Sequence, residues 1–382
     1  MKFTIDSAEF KSITERAAVV SNKKGPVVYV TSINLIADAE NQKVTIRATN
    51  LTSYAQVFTE NAVVRESGNI CVEVEDLKRL YNIVGDITVE SDGKTLLVRS
   101  SKKQGEICAS TPEELLFPTT DENLAFAADK EDMLDTFSKL SCCLATDESK
   151  QIFTGFNVAD VSFHHRIAAL DGYRAAVRGI DWKFRDGLNI TIPGFIVKEL
   201  AKVSANKKTE EIAVYENGKH VRFVGSDFVY TTRLLDGKYL DIDSILVSKE
   251  ATYGFKVNAE KLFAIAKEYS GFLSKVKQPM FLCYKNGKYI TAAQSSRYRT
   301  SDVLEISNGR SVPEDLIYAV NSHYLKELMA IFGKETVEIE SVIRGAEHNS
   351  WLIRGENGYI ALILPVRPLE DMSGIKNLIA SA

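Results

Sequence analysis

Leu77-Lys78-Arg79-Leu80, Val197-Lys198-Glu199-Leu200 and Leu325-Lys326-Glu327-Leu328 are near-copies of one tetrapeptide, and their first residues lie 120 and 128 positions apart. In a chain of 382 residues that is a period of about one third, so an internal repeat has to be read before any motif. Each copy sets apolar residues three apart around charged ones, the spacing of a helix with one buried face. Upstream of each copy lies a candidate helix start. Asp6, Asp129 and Asn258 are N-cap residues by type, and Glu9 and Asp132 stand three residues after the first two. Apolar residues then follow at helical spacing: Phe10, Ile13 and Ala17; Met133, Phe137 and Leu140; Leu262, Ile265 and Tyr269.

Between the two helices of each unit the pattern changes to strand-like runs. They are Val27 to Ala37 with Lys43 to Ala48, Phe153 to Phe163 with Arg166 to Leu170, and Met280 to Tyr284 with Tyr289 to Ala293. Asn286-Gly287 predicts a two-residue hairpin, and Asp92-Gly93 and Asn217-Gly218 mark turns after the second helices. Tight turns between strands imply antiparallel sheets, with the helices on one face. The pattern breaks near Leu116-Phe117-Pro118 and near Val247-Ser248-Lys249-Glu250. The expected fold is therefore α+β, with three repeated modules of antiparallel sheet plus two helices each: 1–120, 121–248 and 249–369, followed by a tail at 370–382.

Bulk properties agree with a multidomain globular chain, since domains run to ~100–200 residues. A net charge of −4 gives no global basic field, which weighs against a sequence-specific DNA reader. It leaves room for a protein whose basic residues gather on one surface. Cys71, Cys108, Cys142, Cys143 and Cys283 show no CxxC spacing, so buried free thiols in a reducing compartment are expected. The opening Met1 to Asp6 reads as a short strand and not a signal peptide, and the apolar run Tyr359 to Val366 is far short of the ~20 residues that span a bilayer. A cytoplasmic protein is expected.

Catalytic chemistry needs convergent residues, and the sequence offers none. His164 and His165 are neighbours on a strand and face opposite ways, so they cannot share a metal. Asp171-Gly172-Tyr173-Arg174 reads as a hairpin turn whose Arg reaches a backbone carbonyl. A phosphate-binding GxxxxGK[ST] loop and a GxGxxG after a strand are both missing. The chain is expected not to be an enzyme and to use neither metal nor cofactor. Basic residues instead recur at repeat-equivalent places: Lys78, Arg79, Lys198, Lys202 and Lys326 on second helices, with Lys23, Lys24, Lys150, Lys275 and Lys277 in loops after first helices. Gathered on one concave side, they would suit a phosphate backbone, whose contacts carry no sequence information.

Three segments carry a resemblance. Leu170-Asp171-Gly172-Tyr173-Arg174-Ala175-Ala176 resembles a T-D-G-H-R-L-A segment, Leu235-Asp236-Gly237-Lys238-Tyr239-Leu240-Asp241 resembles V-D-G-R-F-P-D, and Leu364-Pro365-Val366-Arg367 resembles M-P-M-R. In this order, within a threefold repeat from Met1 to about Leu369, they resemble the bacterial processivity clamp, the beta subunit of the replicative DNA polymerase. The resemblance implies the DNA clamp fold in a head-to-tail homodimer that closes a ring around duplex DNA and tethers the polymerase. It implies further partners in the clamp loader and other proteins with a clamp-binding motif. It also implies a hydrophobic peptide cleft from Phe153, Leu170, Gly172, Tyr173, Arg174, Ala175, Leu240, Ile245, Val276, Ile363, Leu364, Pro365, Val366 and Arg367. At the dimer seam it places Phe272 and Leu273 against a basic edge of Arg99, Lys102 and Lys103.

The chain departs from the family at Leu170, Tyr173 and Leu240, which shapes the cleft for a different peptide. Its third-module edge, Ser295 to Asp302, also lacks the family's acidic character. The alternatives are a triplicated protein-binding scaffold without DNA function and a hydrolase using Asp171 and a His. Beyond the family's usual end, residues 370–382 are expected to fray, as chain ends do. The competing expectation is that Leu378 and Ile379 dock near the cleft and compete with partner peptides.

Overall fold

The computed structural model describes every residue except 26, 112–116, 119–122, 162–163, 247–252, 274–277, 296–297, 311–316, 345–347, 368–371 and 382. The first third runs β1 (Lys2–Asp6), α1 (Ser7–Ala17), β2 (Ser32–Asp38), β3 (Lys43–Thr49), β4 (Ser53–Thr59) and β5 (Ala62–Glu66). It continues through β6 (Gly68–Glu73), α2 (Val74–Lys78), β7 (Asp86–Ser91), β8 (Thr95–Arg99) and β9 (Gln104–Cys108). The middle third holds β10 (Asn123–Asp129), α3 (Lys130–Leu140), β11 (Gly155–Val161), β12 (His164–Leu170), β13 (Arg174–Ile180) and β14 (Lys183–Phe184). After these come β15 (Asn189–Pro193), α4 (Ile196–Val203), β16 (Glu211–Glu216), β17 (His220–Val224), β18 (Phe228–Arg233) and α5 (Ile242–Leu246). The last third has β19 (Tyr253–Asn258), α6 (Ala259–Leu273), β20 (Met280–Lys285), β21 (Lys288–Gln294), β22 (Arg299–Leu304) and β23 (Ser307–Arg310). It closes with β24 (Ile317–Val320), α7 (Ser322–Phe332), β25 (Thr336–Arg344), β26 (His348–Arg354), β27 (Tyr359–Ile363) and α8 (Ser373–Ser381).

The three cap residues do what their chemistry predicts. Asp6 Oδ1 accepts from the N–H groups of Ala8 and Glu9, Asp129 Oδ1 from Asp132 N–H, and Asn258 Oδ1 from Lys261 N–H. Each capped helix, however, is preceded by a strand, so the unit opens on a strand and not on the helix. That strand pairs antiparallel with the one after the second helix, and the cap residue sits in register each time: Asp6 with Asp86, Asp129 with Glu211, Asn258 with Thr336. The repeat in sequence is thus a repeat in strand register.

Residues 1–135 with 182–235 form one compact unit, and 136–181 with 236–382 form a second. In the first unit a five-stranded sheet runs β5–β1–β7–β8–β9, and another runs β14–β10–β16–β17–β18–β4–β3–β2–β6. The antiparallel β18–β4 ladder joins the middle third to the first. In the second unit the strand order is β11–β12–β13–β27–β26–β25–β19–β23, joined by the β13–β27 ladder, beside a four-stranded sheet β22–β21–β20–β24. Helix faces fill the interiors. Phe10, Ile13 and Ala17 of α1 are buried in the first unit, and Leu262, Ala266 and Tyr269 of α6 in the second. Trp351 stacks on Tyr318 at 4.0 Å between ring centroids in the second core.

Some expectations need correction. Val28–Val30 form a 3-10 turn, so the first strand run starts at Ser32 and not at Val27. Phe153 lies in a 3-10 stretch, Glu148–Thr154, ahead of β11, and Phe163 falls outside the described residues. Leu116 and Val247-Ser248-Lys249-Glu250 also fall outside them. Asn286 and Gly287 do form the hairpin, with φ of 52° and 77°, the left-handed pair that a two-residue turn between twisted strands requires. The thiols are free, but Cys108 is exposed and Cys142 half-buried, so burial does not describe them all. The tail does not fray: Ser373–Ser381 is helical, and Ile375 and Ile379 are buried against Phe281, Cys283, Ile290, Ala292 and Ala319. Leu378 and Ile379 pack on this surface, where Ala319 O accepts from the Val366 N–H (2.9 Å), so their docking agrees with the second expectation, and competition with a peptide is a matter for titration. Among the described residues no helix is long and apolar enough to cross a membrane.

Candidate functional site

In the second unit the β12–β13 hairpin turns through Asp171-Gly172-Tyr173-Arg174. Asp171 Oδ1 accepts the N–H groups of Tyr173 (2.8 Å) and Arg174 (2.9 Å), and Gly172 takes φ +91°, a conformation that side chains disfavour. Alternation along β13 sends Ala175 and Val177 to one face and Arg174 to the other, towards α7. There Arg174, 7% exposed, donates through Nε to Asp171 Oδ2 (3.1 Å) and through Nη1 to Glu327 Oε2 (2.6 Å). Its guanidinium lies 4.2 Å from the Tyr324 ring centroid. The Arg therefore reaches two carboxylates and a ring, not the backbone carbonyl expected from the turn alone.

On the opposite face an apolar floor spans the β13–β27 ladder. Ala168 and Leu170 of β12, Ala175 and Val177 of β13, Leu352 of β26 and Leu362 of β27 pack with Tyr239, and with Ile242 and Leu246 of α5. Ile152, Phe153 and Ile360 close its margins, and Phe153 meets the Tyr239 ring edge-on at 5.6 Å. Arg166, buried in β12, ties α5 down through Asp243 (2.9 Å). Around this floor four large apolar side chains stand open: Tyr173 (59% exposed), Leu240 (46%), Ile245 (41%) and Leu364 (42%). The Leu364 N–H donates to Tyr173 O (2.9 Å), and the Val366 N–H to Ala319 O (2.9 Å), which fixes the wall that carries Leu364, Pro365, Val366 and Arg367. A buried apolar floor with exposed apolar walls can seat one or two side chains of a linear peptide.

The structure thus brings together Phe153, Leu170, Gly172, Tyr173, Ala175, Leu240, Ile245 and Leu364, with Arg174 supporting the turn from behind. Ile363 alternates to the other face and is fully buried, while its neighbour Leu362 joins the floor. Val276 lies outside the described residues. Sequence reading missed Ala168, Val177, Ile242, Leu246, Leu352, Leu362, Tyr324 and Glu327. Strand alternation from Leu170 and Ala175 would have found Ala168 and Val177.

The first unit carries most of the basic candidates. Helices α1, α2 and α4 border a trough of about 1030 Å³ lined by Lys11, Lys23, Lys24, Lys78 and Lys202, with Glu15, Glu73 and Glu75 among them. Arg16 holds this helix group, donating from Nε to Val203 O (2.8 Å) and from both Nη atoms to Asp227. On α4, Glu199 accepts from Tyr230 Oη (2.6 Å), and burial holds its carboxyl above the usual range. Lys198 and Lys202 are exposed one turn apart. Lys78 pairs with Glu75 (2.6 Å) and Arg79 with Asp76 (3.3 Å), so these two are partly neutralised by their own helix.

In the second unit Lys326 sits 3.3 Å from His323 Nδ1, and Lys150 lies over the Tyr173 ring at the groove's rim (5.8 Å). Lys275 and Lys277 lie outside the described residues. Of the edge candidates, Arg99 pairs with Glu90, and Lys102 and Lys103 are exposed in the turn before β9. Phe272 packs edge-on against the exposed Tyr298 ring (4.8 Å) beside β22, whereas Leu273 is fully buried in its own module.

The family model described as DNA polymerase III beta subunit, central domain, matches residues 128–241. The chain is 23% identical to the beta sliding clamp of Bacillus subtilis over 384 residues, covering 96% of this chain and all of that protein. It is 23% identical to the beta sliding clamp of Halalkalibacterium halodurans over 291 residues, covering 72% and 75% of the two chains. Among solved structures, the beta subunit from the DNA polymerase of Streptococcus pyogenes superposes with a TM-score of 0.86 at 18% identity, covering 96% of this chain and 100% of that one. The sliding clamp of Bacillus subtilis gives 0.86 at 19%, covering 97% and 100%.

Proposed function

We infer that this chain, a bacterial sliding clamp in fold and in its relatives, serves DNA replication as a processivity factor that encircles duplex DNA as a homodimer. The observation that carries the reading is the repeated joining ladder. β4 pairs with β18 and β13 with β27, and the third pair of equivalent strands, β22 and β9, are both sheet edges within this chain. An exposed edge is a template for another chain, and two copies meeting head to tail would pair β22 of each with β9 of the other. Such a closed ring holds DNA by topology. Its inner helices need only loose phosphate contact, which exposed Lys198 and Lys202 supply without gripping a sequence.

The groove over Leu170, Ala175 and Leu362 is the second half of the reading. It suits a short linear peptide with apolar anchors, the means by which the replicative polymerase, the clamp loader and other proteins with a clamp-binding motif would be tethered in the cytoplasm. Tethering is not catalysis, and no enzymatic role is assigned to it. Sedimentation tests the assembly. A dimer at micromolar concentration is expected, and a monomer at tens of micromolar defeats the ring. A dimer that binds peptide but is never retained on closed-circular DNA would instead be a protein-binding scaffold.

A further inference from the structure

We propose that Cys142 and Cys143 are a peroxide-responsive dithiol behind the peptide groove, and that a reversible disulfide between them weakens peptide binding. The inference rests on the groove reading and names a regulation of that site. α3 ends at Leu140 and the chain passes into a 3-10 turn, Ser141–Cys143, which packs against β12 and β13. Those are the strands whose hairpin carries the Asp171–Arg174 turn and part of the groove floor. The two sulfurs lie 3.8 Å apart. Cys142 is half-buried and open to a small oxidant, whereas Cys143 is fully buried. Cys142 Sγ also lies 3.3 Å from Lys139 O and 4.0 Å from Glu327 O, the backbone of the residue whose carboxylate pairs with Arg174. Just past the turn, the Ala145 N–H donates to Phe153 O (2.9 Å), at the groove's margin.

The pair divides the roles of a thiol switch. The hydrogen bond from Cys143 holds the Cys142 thiol below the usual range against its burial, and the Arg174 charge adds to this. Burial instead pushes Cys143 up, so Cys142 is the nucleophile and Cys143 the resolving thiol. The Cys142 thiolate attacks one oxygen of hydrogen peroxide, the O–O bond breaks, and hydroxide leaves to collect the displaced thiol proton as water. The Cys143 sulfur then attacks the Cys142 sulfenic acid, the S–O bond breaks, and a second water leaves with the Cys143 proton. Two thiols and one peroxide thus become one disulfide and two waters. The bridge closes a small ring around the peptide bond between consecutive residues. Successive side chains in a 3-10 turn stand about 120° apart, so the turn cannot keep its form once the sulfurs are joined. Unwinding it draws on Phe153 through Ala145 and on Glu327 through Cys142, and so reaches both the groove's margin and the Arg174 turn. A strained bridge is also readily reduced, which makes the change reversible.

The test uses the full chain with Cys108→Ser, which removes the exposed thiol, before and after hydrogen peroxide and again after dithiothreitol. Peptide mapping is expected to show a loss of two hydrogens confined to the segment with Cys142 and Cys143, both then inert to iodoacetamide. Affinity for a labelled peptide carrying a replicative polymerase's clamp-binding motif is expected to fall several-fold on oxidation and to return on reduction. Adding Cys142→Ser should remove the response to peroxide and leave the reduced affinity as it was. Peroxide that leaves both thiols open to alkylation, or that carries Cys142 to the sulfinic acid without a bridge, overturns the switch. A bridge that forms while affinity stays within twofold overturns its hold on the groove. A reduced chain that binds no peptide defeats the groove reading and the regulation together, while the mapping separately decides the bridge.

Discussion

Arg174 shows how one residue ties the groove to the helix layer. It is nearly buried, and its partners Asp171 and Glu327 are carboxylates, one of them 153 positions away. Removing one partner of a buried pair costs roughly 3–5 kcal/mol, but Glu327 is 29% exposed, so about 2 kcal/mol is the reasonable expectation for Arg174→Ala. Denaturant unfolding should show that loss, peptide affinity should fall as the Tyr173 turn loosens, and Arg174→Lys should restore little because it lacks the fork and the ring contact. A variant as stable as native would mean that the pair contributes nothing.

Glu199 tests the opposite sign. Burial raises its carboxyl, opposed by the Tyr230 hydroxyl, so the stability linked to its neutral form is present below the unfolded pKa and is lost as pH rises through the raised folded value. Glu199→Gln should therefore melt higher than native at pH 7, with the gap closing towards about pH 4. A gap that does not change with pH excludes this cause. At this scale the sequence was legible where the physics is local. The Asp171 turn and the three caps follow from residue type, but the reach of Arg174 to Glu327 depends on a contact that no local pattern encodes.

Among the elements, α8 and the strands beneath it teach the most. β3 reads Lys-Val-Thr-Ile-Arg-Ala-Thr, an alternation that buries one face, and its outer residues Lys43 and Arg47 are polar. The neighbouring β20 contains the unbroken apolar run Met280 to Cys283, and the equivalent β21 is buried from Tyr289 to Ala293 with Thr291 its one polar residue there. Continuous apolar strands imply cover on both faces, and that signal was available to find what α8 covers. The apolar spacing of Ile375, Leu378 and Ile379 was legible; its persistence as a helix was not, because nine residues do not hold a helix without packing.

Cys283 reports on this packing, since burial pushes its thiol up to about 12 and keeps it inert. In a Cys108→Ser background, which removes the exposed thiol, Cys283 should resist alkylation in the native chain and react once residues after Arg367 are deleted. Mass spectrometry of the labelled peptide decides. Equal protection in both proteins would show that α8 does not shield the sheet.

For the whole molecule, the threefold period was visible in sequence because the repeated tetrapeptides and caps each answer to a local rule. The open edges β9 and β22 were not, because an edge is defined only by which strand lies beside it. The consequence for function is topological. If two copies close the proposed ring, a net charge of −4 on each chain gives it little reason to adsorb to DNA from outside, so its retention should depend on whether the DNA has ends. Each lysine that contacts a phosphate contributes about 0.9 to the salt slope of binding, so Lys198→Glu with Lys202→Glu should lower loading and flatten its dependence on salt. The same variant should still stay longer on closed-circular DNA than on linear DNA of equal length after a high-salt wash, because phosphate contacts are indifferent to free ends whereas a closed ring is not. The native chain should show the same ratio from a higher starting level. The measurement is the half-life of bound protein on each DNA form at two salt concentrations, with the linear form made by a single cut of the circle. Equal loss from circle and line, in native and variant alike, would mean that charge alone holds the protein, and the encircling ring would have to be abandoned.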